Sequence, residues 1–227
     1  MTHRPGLVVL VSGRGSNLQA LLDARARGEL PIEFLAVISN QPDAPALDRA
    51  AAAGVPVEAV DHRDFADRES FDRALMKVID RYAPDLVVLA GFMRIFTDGF
   101  IAHYGDRMLN IHPSLLPAFR GLHTHQRAIE AGVDRHGATV HFVTPELDGG
   151  PAVIQATVPV LPDDDAGRLA DRVLAREHRI YPLAVRWFAE GRLRFDGKTA
   201  WLDDQVLDAP VIDPAESIDE STETART

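Results

Sequence analysis

Short runs of apolar residues recur along the first half of the chain, separated by segments of mixed polarity. The runs occupy residues 7–12, 32–39, 55–60, 86–90 and 108–112. A strand that is covered on both faces has no polar side, so unbroken apolar runs of this length predict buried strands of a parallel sheet. Residues 138–144 and 152–160 alternate between apolar and polar side chains, and we expect them to form strands at a mixed edge of that sheet.

The intervening segments carry apolar residues at helical spacing. This spacing predicts helices over residues 16–27, 44–53, 71–82, 124–131 and 163–190. We expect Pro182 to kink or divide the last of them, because proline removes a backbone donor. A terminal hairpin is predicted from the two short runs on either side of Asp196-Gly197.

Strands that alternate with helices define the fold class. We predict an α/β protein with a single doubly wound, mostly parallel sheet flanked by helices, with mixed edge strands. Ligands of such sheets bind beyond the carboxyl ends of the strands. Residues with chemical function are therefore expected just after Ser12, Ala90 and Ile111.

Composition and charge exclude several classes of function. The chain has 227 residues, no Cys and a formal net charge of −10. The absence of Cys removes disulfides, thiolate metal sites and Cys nucleophiles, and it is compatible with a reducing cytoplasm. The negative charge disfavours a broad nucleic-acid surface, which needs clustered Lys and Arg. No apolar run approaches the roughly 18–20 residues that span a bilayer.

The last twenty residues differ in composition from the rest. Residues 208–227 contain six acidic residues and one basic residue, which is half of the net charge. A segment with so little to bury is typical of disorder. We therefore predict a folded domain over residues 1–207 and a disordered acidic tail over residues 208–227.

A glycine-containing loop follows the first predicted strand. It reads Ser12-Gly13-Arg14-Gly15-Ser16-Asn17 and opens a helix, so its backbone amides suit an anion. A dinucleotide site would need glycine where Leu18 stands and an acid near Asn40. The loop therefore indicates a monophosphate site; the alternative is a tight turn capped by Ser16.

Two further segments carry candidate catalytic groups. Asn110 and His112 lie on the same side of a strand that Pro113 ends, and both can donate hydrogen bonds to an oxyanion. Asp148 precedes two glycines in a loop, where it could be a simple turn residue. If that loop folds back onto His112, the carboxylate would favour the imidazolium form.

Two other groups of residues allow more than one interpretation. Residues 91–96 could wall a flat heterocycle or could be core packing with a solvated Arg94. His123 and His125 could be a metal pair, but no third ligand stands at the usual spacing, so solvated or hydrogen-bonded histidines are the favoured interpretation.

Five segments together resemble one family. They are GRGSNLQALLDA, PDLVVLAGFMRI, LNIHPSLLPAFRGLHTHQRA, GATVHFVTPELDGGP and EHRIYPLAVRWFAEGRL. In this order, over residues 7–205, they are similar to the phosphoribosylglycinamide formyltransferases, a branch of the formyltransferase family. Arg14 and Ala118 depart from the family, whose members often have Asn and a basic residue there.

The resemblance implies formyl transfer from 10-formyltetrahydrofolate to the amine of glycinamide ribonucleotide, in cytoplasmic purine (IMP) synthesis. It implies small-molecule substrates, no metal, no nucleic acid, no membrane, and a monomer or homodimer. The implied catalytic residues are Asn110, His112 and Asp148. The implied ribonucleotide-binding residues are Gly15, Ser16, Asn17 and Glu177. The implied folate-binding residues are Arg68, Met93, Arg94, Ile95, Phe96 and Asn110.

Four alternatives remain open at this point. A formyltetrahydrofolate hydrolase would share the Asn–His–Asp group, but its relatives carry an additional N-terminal domain. A methionyl-tRNA formyltransferase would carry a further C-terminal domain and a basic surface. A non-catalytic ligand-binding module and a nucleotide-dependent oxidoreductase are compatible with the fold class alone.

Overall fold

The computed structural model describes residues 4–213. The strands in this range are β1 (Gly6–Val11), β2 (Glu33–Ser39), β3 (Val57–Ala59), β4 (Leu86–Leu89), β5 (Met108–His112), β6 (Arg135–Phe142), β7 (Ala152–Pro159), β8 (Leu193–Phe195), β9 (Ala200–Leu202), β10 (Gln205–Val206) and β11 (Val211–Ile212). The α-helices are α1 (Ser16–Ala26), α2 (Pro45–Ala52), α3 (Arg68–Asp80), α4 (Asp98–Tyr104), α5 (Thr124–Glu130) and α6 (Ala166–Ala189). No helix among the described residues is long and apolar enough to cross a membrane.

The main sheet has the strand order β11-β7-β6-β5-β4-β1-β2-β3. Strands β1 to β5 are parallel, and β6 pairs antiparallel with both β5 and β7. The predicted fold class, a mostly parallel sheet with a mixed edge, is confirmed. The predicted hairpin is also confirmed, as β8 and β9, and β10 extends it to a separate three-stranded sheet.

The sheet separates two hydrophobic cores. Helices α1, α2, α5 and α6 contribute to one core, and helices α3 and α4 contribute to the other. Strand β1 is buried at every position because it faces both cores. The hydroxyl of Tyr181 on α6 lies 2.9 Å from the carbonyl oxygen of Leu89 and 3.0 Å from that of Leu109. This contact seats α6 against the carboxyl end of β4 and the beginning of β5.

Two helices differ from the sequence pattern. Helix α4 was not predicted; it begins where the Thr97 side chain accepts a hydrogen bond from the backbone amide of Phe100. Helix α6 runs through Pro182 without division, whereas a kink at Pro182 stays a prediction. Its apolar face is buried along the sheet, and this packing outweighs the one backbone hydrogen bond that proline removes.

Residues 208–213 differ from the predicted tail. Val211–Ile212 form β11, which pairs in parallel with the exposed edge of β7. The carboxylate of Asp213 is buried and lies 3.0 Å from Arg179 Nε of helix α6. A β-branched pair on an open sheet edge, followed by an ion pair, gives this segment contacts that its composition does not reveal. The remainder of the predicted tail, residues 214–227, lies outside the described residues, and its disorder stays a prediction.

Candidate active site

The carboxyl ends of β1, β2 and β4 are joined by side-chain hydrogen bonds. Ser12 Oγ, just after β1, donates to Asn40 Oδ1 at 2.6 Å. The same hydroxyl accepts a hydrogen bond from the backbone amide of Met93 at 2.8 Å. These two hydrogen bonds fix the glycine loop against the segment after β4. Asn40, which stands near the position where a dinucleotide site would have an acid, makes one of them.

The glycine loop borders a cavity of about 230 Å³. Gly15 precedes α1 with φ +73°, a conformation that favours glycine, and an added Cβ would lie 2.6 Å from Cβ of Ala46. Helix α1 begins at Ser16 and its N-cap, Gly15, offers no side chain. The first turn of α1 therefore has no capping side chain, and its residues Ser16 and Asn17 line the cavity, which is a setting that suits anions. The alternative in which Ser16 caps the helix is not found, because Ser16 is the first residue of α1 and Gly15 holds the N-cap position.

Asn17 connects this loop to helix α6. Its Nδ2 donates to Glu177 Oε2 at 2.6 Å, and both side chains are buried. Burial raises the pKa of Glu177, whereas the hydrogen bond from Asn17 opposes that change. The structure thus brings together Gly15, Ser16, Asn17 and Glu177, the four residues predicted to bind the ribonucleotide.

Arg14 is exposed on the rim of the same cavity. Its carbonyl oxygen accepts a hydrogen bond from Arg49 Nε of α2 at 2.8 Å. Arg49 therefore supports the loop from outside and leaves the Arg14 guanidinium at the rim.

His112 and Asp148 meet at the end of β5. His112 Nδ1 lies 3.5 Å from Asp148 Oδ2, and each side chain is only 8% exposed. Asp148 Oδ2 also accepts a hydrogen bond from the backbone amide of Gly121 at 2.9 Å. The loop after β6 thus folds back onto the imidazole, the arrangement on which the functional interpretation of Asp148 depends.

The other ring nitrogen of His112 is also held. Nε2 lies 3.1 Å from the carbonyl oxygen of Phe119, which can only accept, so Nε2 carries a proton. Nδ1 faces a carboxylate. Each nitrogen of His112 therefore has an acceptor, and the site accommodates an imidazolium.

His141 is a site residue that the sequence analysis missed. It stands opposite Asn110 in the antiparallel pairing of β5 and β6, and its Nε2 lies 3.1 Å from Asn110 Nδ2. Its Nδ1 donates to the carbonyl oxygen of Phe142 at 2.9 Å. Burial lowers the pKa of His141, so the ring is neutral and Nε2 accepts from Asn110. This leaves the second N–H of the Asn110 amide available. The signal that could have found His141 is the strand register, which sequence alone does not supply.

The second glycine after Asp148 has a steric role. A Cβ at Gly150 would overlap the carbonyl oxygen of Phe142 on β6. The backbone amide of Phe142 donates to the carbonyl oxygen of Pro151 at 3.0 Å. The loop therefore packs directly against the backbone of β6. This contact fixes the position of Asp148, two residues before Gly150.

We expect Gly150→Ala to lower the free energy of unfolding by about 1–3 kcal/mol, since backbone must move to admit the methyl group. Urea unfolding followed by circular dichroism measures this. Gly99→Ala on α4 is the matched control, because its nearest neighbour atom would be 4.0 Å away and alanine favours a helix. Equal stability of the two variants would contradict the steric role.

Four of the predicted folate-binding residues line one cavity of about 120 Å³. They are Arg94, Ile95, Phe96 and Asn110, and His141 and Asp148 line the same cavity. Phe96 stacks on Phe100 with a centroid distance of 4.0 Å, so part of this wall is also core. The exposed Ile95 supplies free apolar surface.

Two predicted folate-binding residues lie elsewhere. Met93 is 71% exposed and borders the cavity of the glycine loop. Arg68 is exposed at the first position of α3 and lines neither of these cavities. Their roles stay predictions.

The histidines around α5 form a separate cluster. The rings of His125 and His136 pack edge to face with a centroid distance of 5.2 Å. Burial lowers the pKa of His125, and it lowers the pKa of His136 to about 4. Within residues 4–213 no three metal-ligating side chains are gathered into one group. The rings of His125 and His136 therefore pack against each other near His112.

Comparison with known proteins gives consistent results. A sequence model of the family described as Formyl transferase matches residues 6–185. A phosphoribosylglycinamide formyltransferase of Escherichia coli (strain K12) is 52% identical over 201 residues, which are 88% of this chain and 95% of that protein. One of Haemophilus influenzae is 45% identical over the same shares. The solved structure of a Coxiella burnetii phosphoribosylglycinamide formyltransferase in complex with CHES is 46% identical, with a TM-score of 0.88 over 92% of this chain and 99% of that chain.

Proposed function

Since the chain belongs to the formyl transferase family, we propose that it transfers the formyl group of 10-formyltetrahydrofolate to the amine of glycinamide ribonucleotide. This reaction is a step of de novo purine synthesis, and we assign it to the cytoplasm. The observation that carries the proposal is the contact of His112 with Asp148, beside Asn110, at the carboxyl end of β5. A protein that shares only this fold need not bring these three polar side chains together.

The cavities support one placement for each substrate. The phosphate of the ribonucleotide binds the amides of Gly15, Ser16 and Asn17 at the start of α1, where the helix dipole favours an anion. Glu177 accepts a hydrogen bond from a ribose hydroxyl. The folate heterocycle lies against residues 94–96, and this brings its formyl group to Asn110.

The reaction needs stabilisation of a developing negative charge. The neutral amine attacks the formyl carbon, a C–N bond forms, and the carbonyl oxygen becomes an oxyanion. The second N–H of Asn110 donates to this oxygen, and a donor of this kind contributes about 3–4 kcal/mol in the transition state. Imidazolium His112, with both nitrogens held, adds a fixed positive charge.

Collapse of the intermediate completes the transfer. The C–N bond to folate breaks, and the proton lost by the attacking amine reaches the leaving folate nitrogen through a bridging water, because both ring nitrogens of His112 are already held. Asp148 maintains the cation at His112 because a buried carboxylate beside an imidazole favours the charged ring. No covalent enzyme intermediate is required, in keeping with a chain that has no Cys.

A single assay tests the proposal. Purified protein is mixed with glycinamide ribonucleotide and 10-formyltetrahydrofolate, and the folate absorbance change is followed. We expect turnover that requires both substrates. Release of formate without the ribonucleotide would instead indicate a hydrolase, and binding without any turnover would indicate a non-catalytic module.

A further inference from the structure

The loop after β5 contacts both catalytic side chains through two backbone groups that are only two residues apart. The carbonyl oxygen of Phe119 accepts from His112 Nε2 at 3.1 Å. The amide of Gly121 donates to Asp148 Oδ2 at 2.9 Å. We call residues 119–121 the bracket, because one short stretch of backbone contacts the imidazole at one end and the carboxylate at the other.

The central residue of the bracket points its side chain at the opposite loop. The Arg120 guanidinium is hydrogen-bonded and ion-paired to Glu146, which lies two residues before Asp148. Arg120 lines a cavity of about 250 Å³ that Asp148 also lines, whereas Glu146 lines the cavity of residues 94–96. The ion pair thus joins the bracket to the loop that carries Asp148.

Both loops contain a residue with a strained backbone conformation, which needs contacts such as the Arg120–Glu146 ion pair to hold it. Phe119 has φ +55° and Asp148 has φ +49°. A non-glycine residue in the left-handed region is strained and persists when surrounding contacts hold it. The bracket and the Asp148 loop are therefore both strained at the residues that reach His112.

Helix α5 anchors the bracket from the other side. Arg127 Nη1 donates to the carbonyl oxygen of Arg120 at 2.6 Å and lies 3.3 Å from that of Leu122. Its guanidinium carbon is 5.6 Å from the centroid of the Phe119 ring. Arg127 of α5 holds the backbone of Arg120 in place. The ion pair of Arg120 with Glu146 can therefore keep the Asp148 loop close to the bracket.

We propose that Arg120 is a positioning residue for formyl transfer, which holds Asp148 against His112 by pairing with Glu146 across the two loops. The proposal rests on the proposed function, because its consequence is expressed in turnover. Arg120 does not touch the reacting atoms. Its ion pair is partly exposed and contributes little to global stability. Its effect is on geometry, where a displacement of about 1 Å can cost on the order of a hundredfold in rate.

Arg120→Gln is the first test. We expect kcat to fall by about fivefold to tenfold, less than for a full 1 Å displacement, because the bond from Gly121 to Asp148 remains. The KM for the ribonucleotide should change less than about twofold, since positioning acts on the chemical step. The matched control is Arg186→Gln, which removes another partly exposed Arg–Glu pair on α6 and should keep wild-type kcat.

A charge exchange separates pairing from other effects. The double variant Arg120→Glu, Glu146→Arg restores the pair in reverse, and we expect it to recover most of the lost kcat. A raised KM for the ribonucleotide in Arg120→Gln without a loss of kcat would overturn the proposal, because it would indicate direct substrate binding. Failure of the exchanged pair to recover kcat would also overturn it.

A readout without turnover distinguishes this proposal from the proposed function. Hydrogen exchange of the Gly121 amide, measured by NMR, reports the contact with Asp148 directly. We expect faster exchange in Arg120→Gln and unchanged exchange in core strands. Unchanged exchange at Gly121 would overturn the positioning role even in an active enzyme. If the wild-type protein transfers no formyl group, the proposed function fails, while the exchange result still decides whether Arg120 holds the contact.

Discussion

Asp148→Asn lowers kcat by about a hundredfold to a thousandfold and leaves the affinity for glycinamide ribonucleotide nearly unchanged. Asparagine has the shape of aspartate, and its amide oxygen can still accept the hydrogen bond from Gly121. It lacks the charge that maintains the imidazolium of His112 beside it. The magnitude is that of losing one preorganised electrostatic group at a developing oxyanion.

Steady-state kinetics and calorimetric titration with the ribonucleotide measure the two quantities. Asp67→Asn is the matched control, because Asp67 caps α3 by accepting from the Ser70 amide at 2.7 Å and asparagine caps equally well. The control should retain wild-type turnover. Near-normal turnover of Asp148→Asn at neutral pH would refute the proposed role of the carboxylate.

Gly15→Val raises the KM for the ribonucleotide by about tenfold to a hundredfold and changes the KM for the folate less than about twofold. Gly15 has φ +73°, and a Cβ there would lie 2.6 Å from Cβ of Ala46 and 2.9 Å from its Cα. The loop must move away from α2, and its amides leave the phosphate. Losing a hydrogen bond to a charged group costs about 1.5–3 kcal/mol, which corresponds to this range of KM.

The control for backbone strain is Gly28→Val. Gly28 has φ +75°, but nothing lies within 4 Å of the added Cβ, so this variant carries the strain without the displaced loop. Its KM values should match those of the wild type. A Gly15→Val variant in which both KM values rise equally would argue against phosphate binding at this loop.

Much of the site could be predicted from local pattern. Alternation along a strand places Asn110 and His112 on one side, and Pro113 ends the strand beside them. The glycine loop between an apolar strand and a helix indicates an anion site because those features are contiguous in the chain. Contiguous signals of this kind depend on neighbours only a few residues away.

Contacts between distant segments could not be predicted in this way. His141 supports Asn110 only because β6 pairs with β5 in one particular register, and a shift by one residue would turn it to the other face. The ion pair of Arg120 with Glu146 joins two loops whose paths depend on the packing of α5 and β6. The docking of β11 depended on an open edge of β7, which composition does not report.

The chain by itself determined the α/β architecture and the candidates Gly15, Asn110 and His112, because strand burial, helix spacing and glycine loops depend on short stretches of side chains. Glu177 and Arg68 became candidates only through the resemblance to the family. The tertiary structure alone decided that Asp148 lies against His112 at 3.5 Å. That meeting depends on Gly150 fitting against the Phe142 carbonyl and on the amide of Gly121, which are contacts between segments far apart in sequence. Such contacts are set by the packed backbone as a whole, and no local pattern encodes them.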